Sequence, residues 1–205
     1  MPVRILNLVA LISGRGSNLQ SIIERINEGR LDAKIAAVIS DREQAYGLVR
    51  ARAAGIAGLV IRPEVYARKA EYENELAQAV ANYNPDLVIL AGFMRILGGQ
   101  FVQQFHGRLV NIHPSLLPNY KGLNTHQRVL DAGDKTHGAT VHFVTAQLDA
   151  GPTIIQAQVA VDAHDDAATL RQKVLREEHK IYPRAIQWIA EGKVNFAHLI
   201  KTPAA

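Results

Sequence analysis

The sequence predicts an α/β protein with an open, mainly parallel twisted sheet and helices on both faces. Short runs rich in Val, Ile and Leu alternate with segments whose apolar residues recur at helical spacing. Such alternation favours parallel strands joined by right-handed crossover helices. Beyond residue 135 two strand-like runs are separated by only eight residues, which predicts antiparallel strands late in the chain.

The strands and helices follow one another in chain order. The run 4–12 predicts a first strand, and the segment 19–29 after it has four apolar residues on one helical face. The run 86–90 is apolar without alternation, as expected for a parallel strand covered on both faces. The predicted strands are 4–12, 34–40, 59–61, 86–90, 108–113, 138–144 and 153–161. The predicted helices are 19–29, 45–55, 66–83, a short helix within 91–105, and 167–191 with a kink or local break at Pro183.

Length and composition indicate a single domain over residues 1–205. Of the 205 residues, 48% are hydrophobic and 20% are charged, and no apolar run approaches the roughly 18 residues of a membrane span. Cysteine is absent, which excludes disulfides, a thiol nucleophile and cysteine metal ligands, and favours a cytoplasmic protein. The formal charge is +4, but Lys and Arg are interleaved with acids. We therefore expect neither a nucleic-acid nor a membrane partner.

The stretch SGRGSN, residues 13–18, joins the first strand to the first helix. At such a junction, unpaired backbone N–H groups and the helix dipole favour an anion. Gly16 lets the backbone approach a ligand, and Ser17 and Asn18 are good N-cap residues. Leu19 stands where a dinucleotide fingerprint has its third glycine. A single phosphate monoester fits best, and a tight turn without a ligand is the alternative.

Asp41 follows the second predicted strand and allows two interpretations. It lies near where a ribose-binding acid would fall in a dinucleotide site. It equally suits a cap of the next helix, so the sequence leaves both roles open.

The stretch NIHPSLLPNYKG, residues 111–122, begins with an amide and an imidazole at the end of the fifth predicted strand. Alternation puts Asn111 and His113 on one side of the strand, at the edge where open parallel sheets bind ligands. The imidazole can exchange a proton near neutral pH, and the amide can stabilise an oxyanion. Asp149, in a Gly and Pro turn, could reach back toward the imidazole. The alternative is a turn-capping Asn111, a satisfied buried His113 and an ordinary turn aspartate.

The histidine spacing predicts no metal site. His137 and His142 are five residues apart, which puts them on opposite faces of a strand. No further residue has ligand-like spacing to either of them, so metal catalysis is disfavoured.

Six motifs follow one another along nearly the whole chain. They are LISGRGSNLQ, PDLVILAGFMRIL, LVNIHPSLLPNYKG, HGATVHFV, LDAGP and EHKIYP. Together and in this order they resemble the glycinamide ribonucleotide formyltransferases of purine synthesis. The resemblance implies a Rossmann-like formyltransferase fold and direct transfer of a formyl group, through a tetrahedral intermediate, to the amine of glycinamide ribonucleotide. It also implies 10-formyltetrahydrofolate as the formyl-donor cosubstrate, small-molecule partners and no metal.

The resemblance assigns catalytic roles to three residues. Asn111 and a cationic His113 would stabilise the oxyanion, while Asp149 would keep the imidazole charged and oriented. His113 or a bound water would carry the proton between the two nitrogens.

The resemblance also implies binding residues. The backbone of Gly16, Ser17 and Asn18 would hold the substrate's phosphate, and Glu178 would position its ribosyl-glycinamide part. The residues implied for the folate are Lys69, Met94, Arg95, Ile96, Leu97, Asn111, Thr145, Leu148 and Asp149. The family usually has arginine near the position of Lys69, and some members have histidine where this chain has Asn124.

Other functions remain open at this level. Methionyl-tRNA formyltransferases and formyltetrahydrofolate hydrolases share the SLLP region, but each adds a domain for which 205 residues leave no room. A non-catalytic nucleotide-binding module would use SGRGSN and leave His113 idle. The sequence is compatible with a monomer or a homodimer.

Overall fold

A computed structural model describes residues 4–199. The strands are β1 Leu6–Ile12, β2 Ala33–Ser40, β3 Ala57–Val60, β4 Leu87–Leu90, β5 Leu109–His113, β6 Thr136–Phe143 and β7 Thr153–Ala160. The helices are α1 Ser17–Asn27, α2 Tyr46–Ala53, α3 Lys69–Ala81, α4 Gly99–Gln104, α5 Thr125–Ala132, α6 Ala167–Ala190 and α7 Phe196–Leu199. A short 3-10 turn spans Pro63–Val65. None of the described helices is long and apolar enough to cross a membrane.

The seven strands form one sheet in the order β3-β2-β1-β4-β5-β6-β7. The strands from β1 to β5 pair in parallel, and β6 pairs antiparallel with both β5 and β7. The predicted mainly parallel sheet with late antiparallel strands is therefore confirmed. The strand order reverses between β1 and β4, and ligands of open α/β sheets bind in the crevice at such a switch.

The core lies on both faces of the sheet. Along β1, Leu8 packs in an apolar cluster with α1 and α6, whereas Val9 packs in a second cluster with α3 and α4. Every residue from Leu8 to Ile12 is fully buried. Burial on both faces explains why these strands read as continuous apolar runs instead of alternating ones.

The helices differ from the sequence analysis at three points. The helix α5 was not predicted, because Val129 is the only buried aliphatic residue among its eight residues and no apolar period is visible. Asp41 does not cap α2, which begins at Tyr46 with Ala45 at the N-cap position. A local break at Pro183 is absent, because α6 runs through it and Tyr182 and Pro183 are both buried in the core.

Candidate active site

The crevice at the strand switch brings three loops to one edge of the sheet. The loops after β1, β4 and β5 all leave from the carboxyl ends of neighbouring strands. They contain SGRGSN, the residues 91–98 and the stretch after His113. Residues distant in the sequence can therefore surround one ligand here.

The strand β5 directs Asn111 and His113 to one side. Ile112, between them, belongs to the apolar cluster that packs with α1 and α6. Because side chains alternate along a strand, Asn111 and His113 face away from that cluster. His113 is nearly buried, so its partners are set by the protein.

Asp149 lies beside His113, as the sequence suggested it could. Its Oδ2 atom is 3.5 Å from Nδ1 of His113, and both side chains are nearly buried. This distance is too long for a strong hydrogen bond, but it places the carboxylate directly against the ring edge of His113. The same Oδ2 atom accepts a hydrogen bond of 2.9 Å from the backbone N–H of Gly122.

The other ring nitrogen of His113 is also occupied. Nε2 is 2.9 Å from the backbone carbonyl oxygen of Tyr120. Because a carbonyl oxygen can only accept, Nε2 carries a proton and donates it. The ring of His113 therefore lies between a carbonyl oxygen at Nε2 and a carboxylate at Nδ1.

His142 joins this group, although the sequence did not single it out as functional. It stands opposite Asn111 in the β5–β6 register, and its Nε2 atom is 3.2 Å from Nδ2 of Asn111. The Nδ1 atom of His142 is 2.9 Å from the Phe143 carbonyl and donates to it, which leaves Nε2 to accept from Asn111. Burial lowers the pKa of His142, so this neutral form is favoured. We call Asn111, His113, His142 and Asp149 the polar cluster.

The LDAGP turn fixes Asp149 in the polar cluster. Asp149 has a positive φ of 47°, a conformation in which aspartate is enriched. Two residues later, a Cβ atom on Gly151 would lie 1.8 Å from the carbonyl oxygen of Phe143, so only glycine fits there. The N–H of Phe143 in turn donates to the Pro152 carbonyl. This hydrogen bond attaches the turn to the end of β6.

The loop after His113 is tied to β6 by Thr140, which stands opposite His113. The Thr140 hydroxyl donates to the Ser115 carbonyl at 2.6 Å and accepts from the N–H of Leu117 at 3.0 Å. The peptide bond from Leu117 to Pro118 is cis. This loop carries the Tyr120 carbonyl and the Gly122 N–H, so both contacts to the polar cluster come from one anchored segment.

The SGRGSN loop ends in an open helix N-terminus. Gly16, with a φ of 67°, is the N-cap residue of α1 and provides no side chain. Ser17 and Asn18 are therefore the first helical residues and not the cap that the sequence suggested. The first bond of the helix runs from Gln20 N to the Gly16 carbonyl, so the preceding N–H groups point out of the helix end. A Cβ atom on Gly16 would lie 2.6 Å from Cα of Gly47 in α2, which explains the need for glycine.

Asn18 and Glu178 meet beneath this loop. The Asn18 amide donates to Oε2 of Glu178 at 2.7 Å, and both side chains are buried. Burial raises the pKa of Glu178, while the bond from Asn18 opposes that rise. Glu178 is thereby held beside Gly16, Ser17 and Asn18, the other residues that the resemblance implies for the substrate.

The residues 94–97, which we call the MRIL segment, connect β4 to α4 without regular secondary structure. Its side chains Met94 and Ile96 are 63% and 65% exposed, and Leu148 of the LDAGP turn is also exposed. Leu97 packs against the core, and Thr145 is half-buried. Exposed apolar side chains next to a polar crevice suit an aromatic ligand.

Lys69 does not contact the MRIL segment. It is the first residue of α3, and its Nζ atom is 3.4 Å from Oε1 of Glu73. The same Glu73 oxygen accepts from the N–H of Gly98 at 2.7 Å. Lys69 therefore reaches the end of this segment only through Glu73.

A cavity of about 690 Å³ lies at the carboxyl ends of β1 and β2, away from the polar cluster. It includes Ser13 and Arg95, which it shares with the crevice, but neither His113 nor Asp149 lines it. The chemistry of the polar cluster, and not the size of this cavity, identifies the candidate active site. Among the described residues, no group of three or more His, Asp or Glu side chains is arranged to hold a metal ion.

This fold and its polar cluster are those of a formyltransferase. The family model described as Formyl transferase matches residues 6–186, and the chain belongs to that family. Phosphoribosylglycinamide formyltransferase of Escherichia coli (strain K12) is 48% identical over 189 residues, which cover 92% of this chain and 89% of that protein.

A solved structure and a further related protein are also similar to most of this chain. Glycinamide ribonucleotide transformylase 1 from Symbiobacterium toebii has a TM-score of 0.90 at 47% identity, covering 92% of this chain and 89% of that one. The human trifunctional purine biosynthetic protein adenosine-3 is 44% identical over 91% of this chain, which corresponds to 18% of its own length.

Proposed function

We propose that this protein transfers the formyl group of 10-formyltetrahydrofolate to the amine of glycinamide ribonucleotide. The products are formylglycinamide ribonucleotide and tetrahydrofolate, in de novo purine synthesis. The observation that carries the proposal is the polar cluster, in which Asn111 and His113 share one side of β5 and Asp149 lies against the imidazole. The names and high identity of the relatives support the same reaction.

The chemistry forms one C–N bond and breaks another. The amine attacks the formyl carbon, and negative charge develops on the formyl oxygen of the tetrahedral intermediate. Asn111 and the protonated His113 supply N–H donors for that oxygen. The bond from the carbon to N10 of the folate then breaks, and one proton passes from the attacking to the leaving nitrogen.

Three contacts in the polar cluster support the stabilisation of the oxyanion by His113 and Asn111. Its Nε2–H now donates to the Tyr120 carbonyl, and on substrate binding it exchanges that acceptor for the developing oxyanion. Asp149 faces Nδ1, where its carboxylate stabilises the positive charge that the proposed mechanism places on the ring. His142 accepts from Asn111 and thereby orients the amide toward the reacting carbon.

The substrate and the donor fit opposite sides of the polar cluster. We assign the phosphate of glycinamide ribonucleotide to the backbone N–H groups at Gly16, Ser17 and Asn18, where the helix end is uncapped. Glu178 accepts from the ribosyl-glycinamide part or from its amine.

We assign the folate to the other side of the cluster. Its pterin lies along the MRIL segment, whose exposed Met94 and Ile96 supply the apolar surface, and against the loop from Thr145 through Leu148 to Asp149. Arg95 and Leu97 complete that segment. Lys69 is assigned only an indirect role, since Glu73 stands between it and the segment.

The proposal extends to the setting of the enzyme. We propose a single formyltransferase domain that works in the cytoplasm as a monomer or homodimer, with small molecules and not nucleic acid as partners. The interleaved charges and the absence of cysteine support this setting.

The test is an initial-rate assay with purified protein and both substrates, in which the formylated nucleotide is detected by mass spectrometry. We expect product only when both substrates are present. Release of formate without the nucleotide would indicate a hydrolase, and nucleotide binding without any turnover would indicate a non-catalytic module. Either result would overturn the proposal.

A further inference from the structure

The MRIL segment has to be held in place by groups outside it. Residues 93–98 form neither strand nor helix, so no ladder of backbone hydrogen bonds fixes their conformation. Yet the segment presents two exposed apolar side chains, and an aromatic ligand can use them only if they stand in a fixed position.

Three contacts from other elements anchor the segment. Near its start, the N–H of Met94 donates to the buried hydroxyl of Ser13 at 2.8 Å. After its end, the N–H of Gly98 donates to Glu73 at 2.7 Å. Between them, Nε of Arg95 donates to Oδ2 of Asp41 at 2.8 Å. Of these three hydrogen bonds, the one from Arg95 is the only one that a side chain of the segment makes.

The Asp41 carboxylate is buried and therefore offers Arg95 a fixed partner. It directly follows β2, and its side chain is 1% exposed, whereas that of Arg95 is 43% exposed. Among the described residues, Arg95 is the only hydrogen-bond partner of this carboxylate, since its Oδ1 atom has none. A buried carboxylate with one cationic partner strongly resists losing that partner.

The geometry also limits where Arg95 can lie. β2 is separated from β4 by β1, so the Arg95 side chain crosses the carboxyl end of β1 to reach Asp41. Its guanidinium carbon is also 5.7 Å from the centre of the Tyr72 ring in α3. Two fixed elements therefore hold Arg95 on the side of the segment away from the polar cluster.

We propose that Asp41 is a positioning residue for the formyl donor: by holding Arg95, it fixes the MRIL segment in the conformation that receives the pterin. This inference rests on the proposed function, because it takes the segment to be the folate site. It gives Asp41 a role that is neither a ribose contact nor a helix cap. The effect on glycinamide ribonucleotide is expected to be small, since that substrate lies at the SGRGSN loop.

The test compares Asp41→Asn with the wild-type enzyme. Asn keeps the shape but removes the charge, so we expect KM for 10-formyltetrahydrofolate to rise about 10-fold, with kcat and KM for the nucleotide within about two-fold. Glu43→Gln is the matched control, because Glu43 lies two residues away, is exposed, and is 3.9 Å from Arg62. The control should leave all three constants within about two-fold.

A double variant separates positioning from general loss of structure. In an Arg95→Gln background, Asp41→Asn should no longer raise KM for the folate, because the contact is already absent. An equal rise in both KM values, or a fall in kcat alone, would overturn the inference. If Asp41→Asn does not fold, Arg95→Lys removes the same Nε–H and must raise KM for the folate, and an unchanged value there would overturn it.

The outcomes distinguish the two proposals. A wild-type enzyme without formyl transfer would refute the proposed function. An active wild-type enzyme whose Asp41→Asn variant keeps its KM for the folate would refute only the positioning role of Asp41.

Discussion

At the scale of single residues, the chemistry depends on how His113 is held. Its two ring nitrogens face a carbonyl and a carboxylate, and both contacts are shielded from water. Strand alternation predicted that Asn111 and His113 share one side of β5, and the sequence offered Asp149 in a turn as a carboxylate that could reach the imidazole. The sequence could not identify His142, since only the β5–β6 register places that residue opposite Asn111.

Removing the charge pair should slow the reaction without preventing binding. We expect His113→Ala and Asp149→Asn each to lower kcat by at least about 100-fold, because each removes a group that stabilises the transition state. The measurement is steady-state kinetics together with nucleotide affinity by calorimetry. Asp131→Asn, at an exposed position on α5, serves as the control for surface charge. Near-normal turnover in either cluster variant would refute the assigned roles.

Removing His142 should act through Asn111. We expect His142→Ala to lower kcat about 10-fold, since the Asn111 amide loses the acceptor that orients it. His142→Gln, whose side-chain oxygen can also accept, should recover part of the rate. Equal activity of the Ala variant and the wild type would show that Asn111 does not need this partner.

At the scale of elements, strands β5 and β6 carry Asn111, His113 and His142, and the turn after β6 carries Asp149. The alternating strands and helices were predictable, because burial on both sheet faces leaves continuous apolar runs such as Val9 to Ile12. The helix α5 was not predictable, because Val129 is its only buried aliphatic residue and no apolar period results. The contact between Arg95 and Asp41 could not be predicted either, because it joins two loops whose proximity depends on the strand order.

The LDAGP turn offers a test at this scale. Gly151→Ala would place a methyl group 1.8 Å from the Phe143 carbonyl, so the turn must shift and carry Asp149 away from His113. We expect kcat to fall at least about 10-fold, a loss typical of a displaced catalytic group. Gly99→Ala, where a Cβ atom meets nothing within 4 Å, is the matched control and should keep full activity. An active Gly151→Ala enzyme would contradict the account of the turn.

At the scale of the whole molecule, the fold joins distant parts of the chain at one edge. Asn18 of α1 bonds Glu178 of α6 across 160 residues, and the hydroxyl of Tyr182 donates to the carbonyls of β4 and β5. The last long helix therefore braces the strands that carry the polar cluster. The same helix carries Glu178, which we propose as a contact of the substrate.

Two further histidines make the stability depend on pH. Nδ1 of His126 is 2.9 Å from Nε2 of His137, and burial lowers the pKa of each to about 4. An unfolded histidine titrates near ~6.5, so the unfolded chain binds more protons between these values. The stabilisation is present above pH ~6.5 and is lost as the pH falls toward about 4.

We therefore expect the urea midpoint of unfolding to fall steadily between about pH 7 and pH 4. A His137→Gln variant should show a shallower fall, whereas His164→Gln, at an exposed position, should follow the wild type. Identical pH profiles for the wild type and His137→Gln would contradict the assignment.

The most direct test of the central claim follows the formyl carbon itself. The protein is mixed in excess with 10-formyltetrahydrofolate labelled with carbon-13 in the formyl group, together with glycinamide ribonucleotide, and the label is located by NMR. Direct transfer predicts that the label appears in the amide of formylglycinamide ribonucleotide, without free formate as an intermediate. Label found only in formate, or remaining in the folate, would contradict the account.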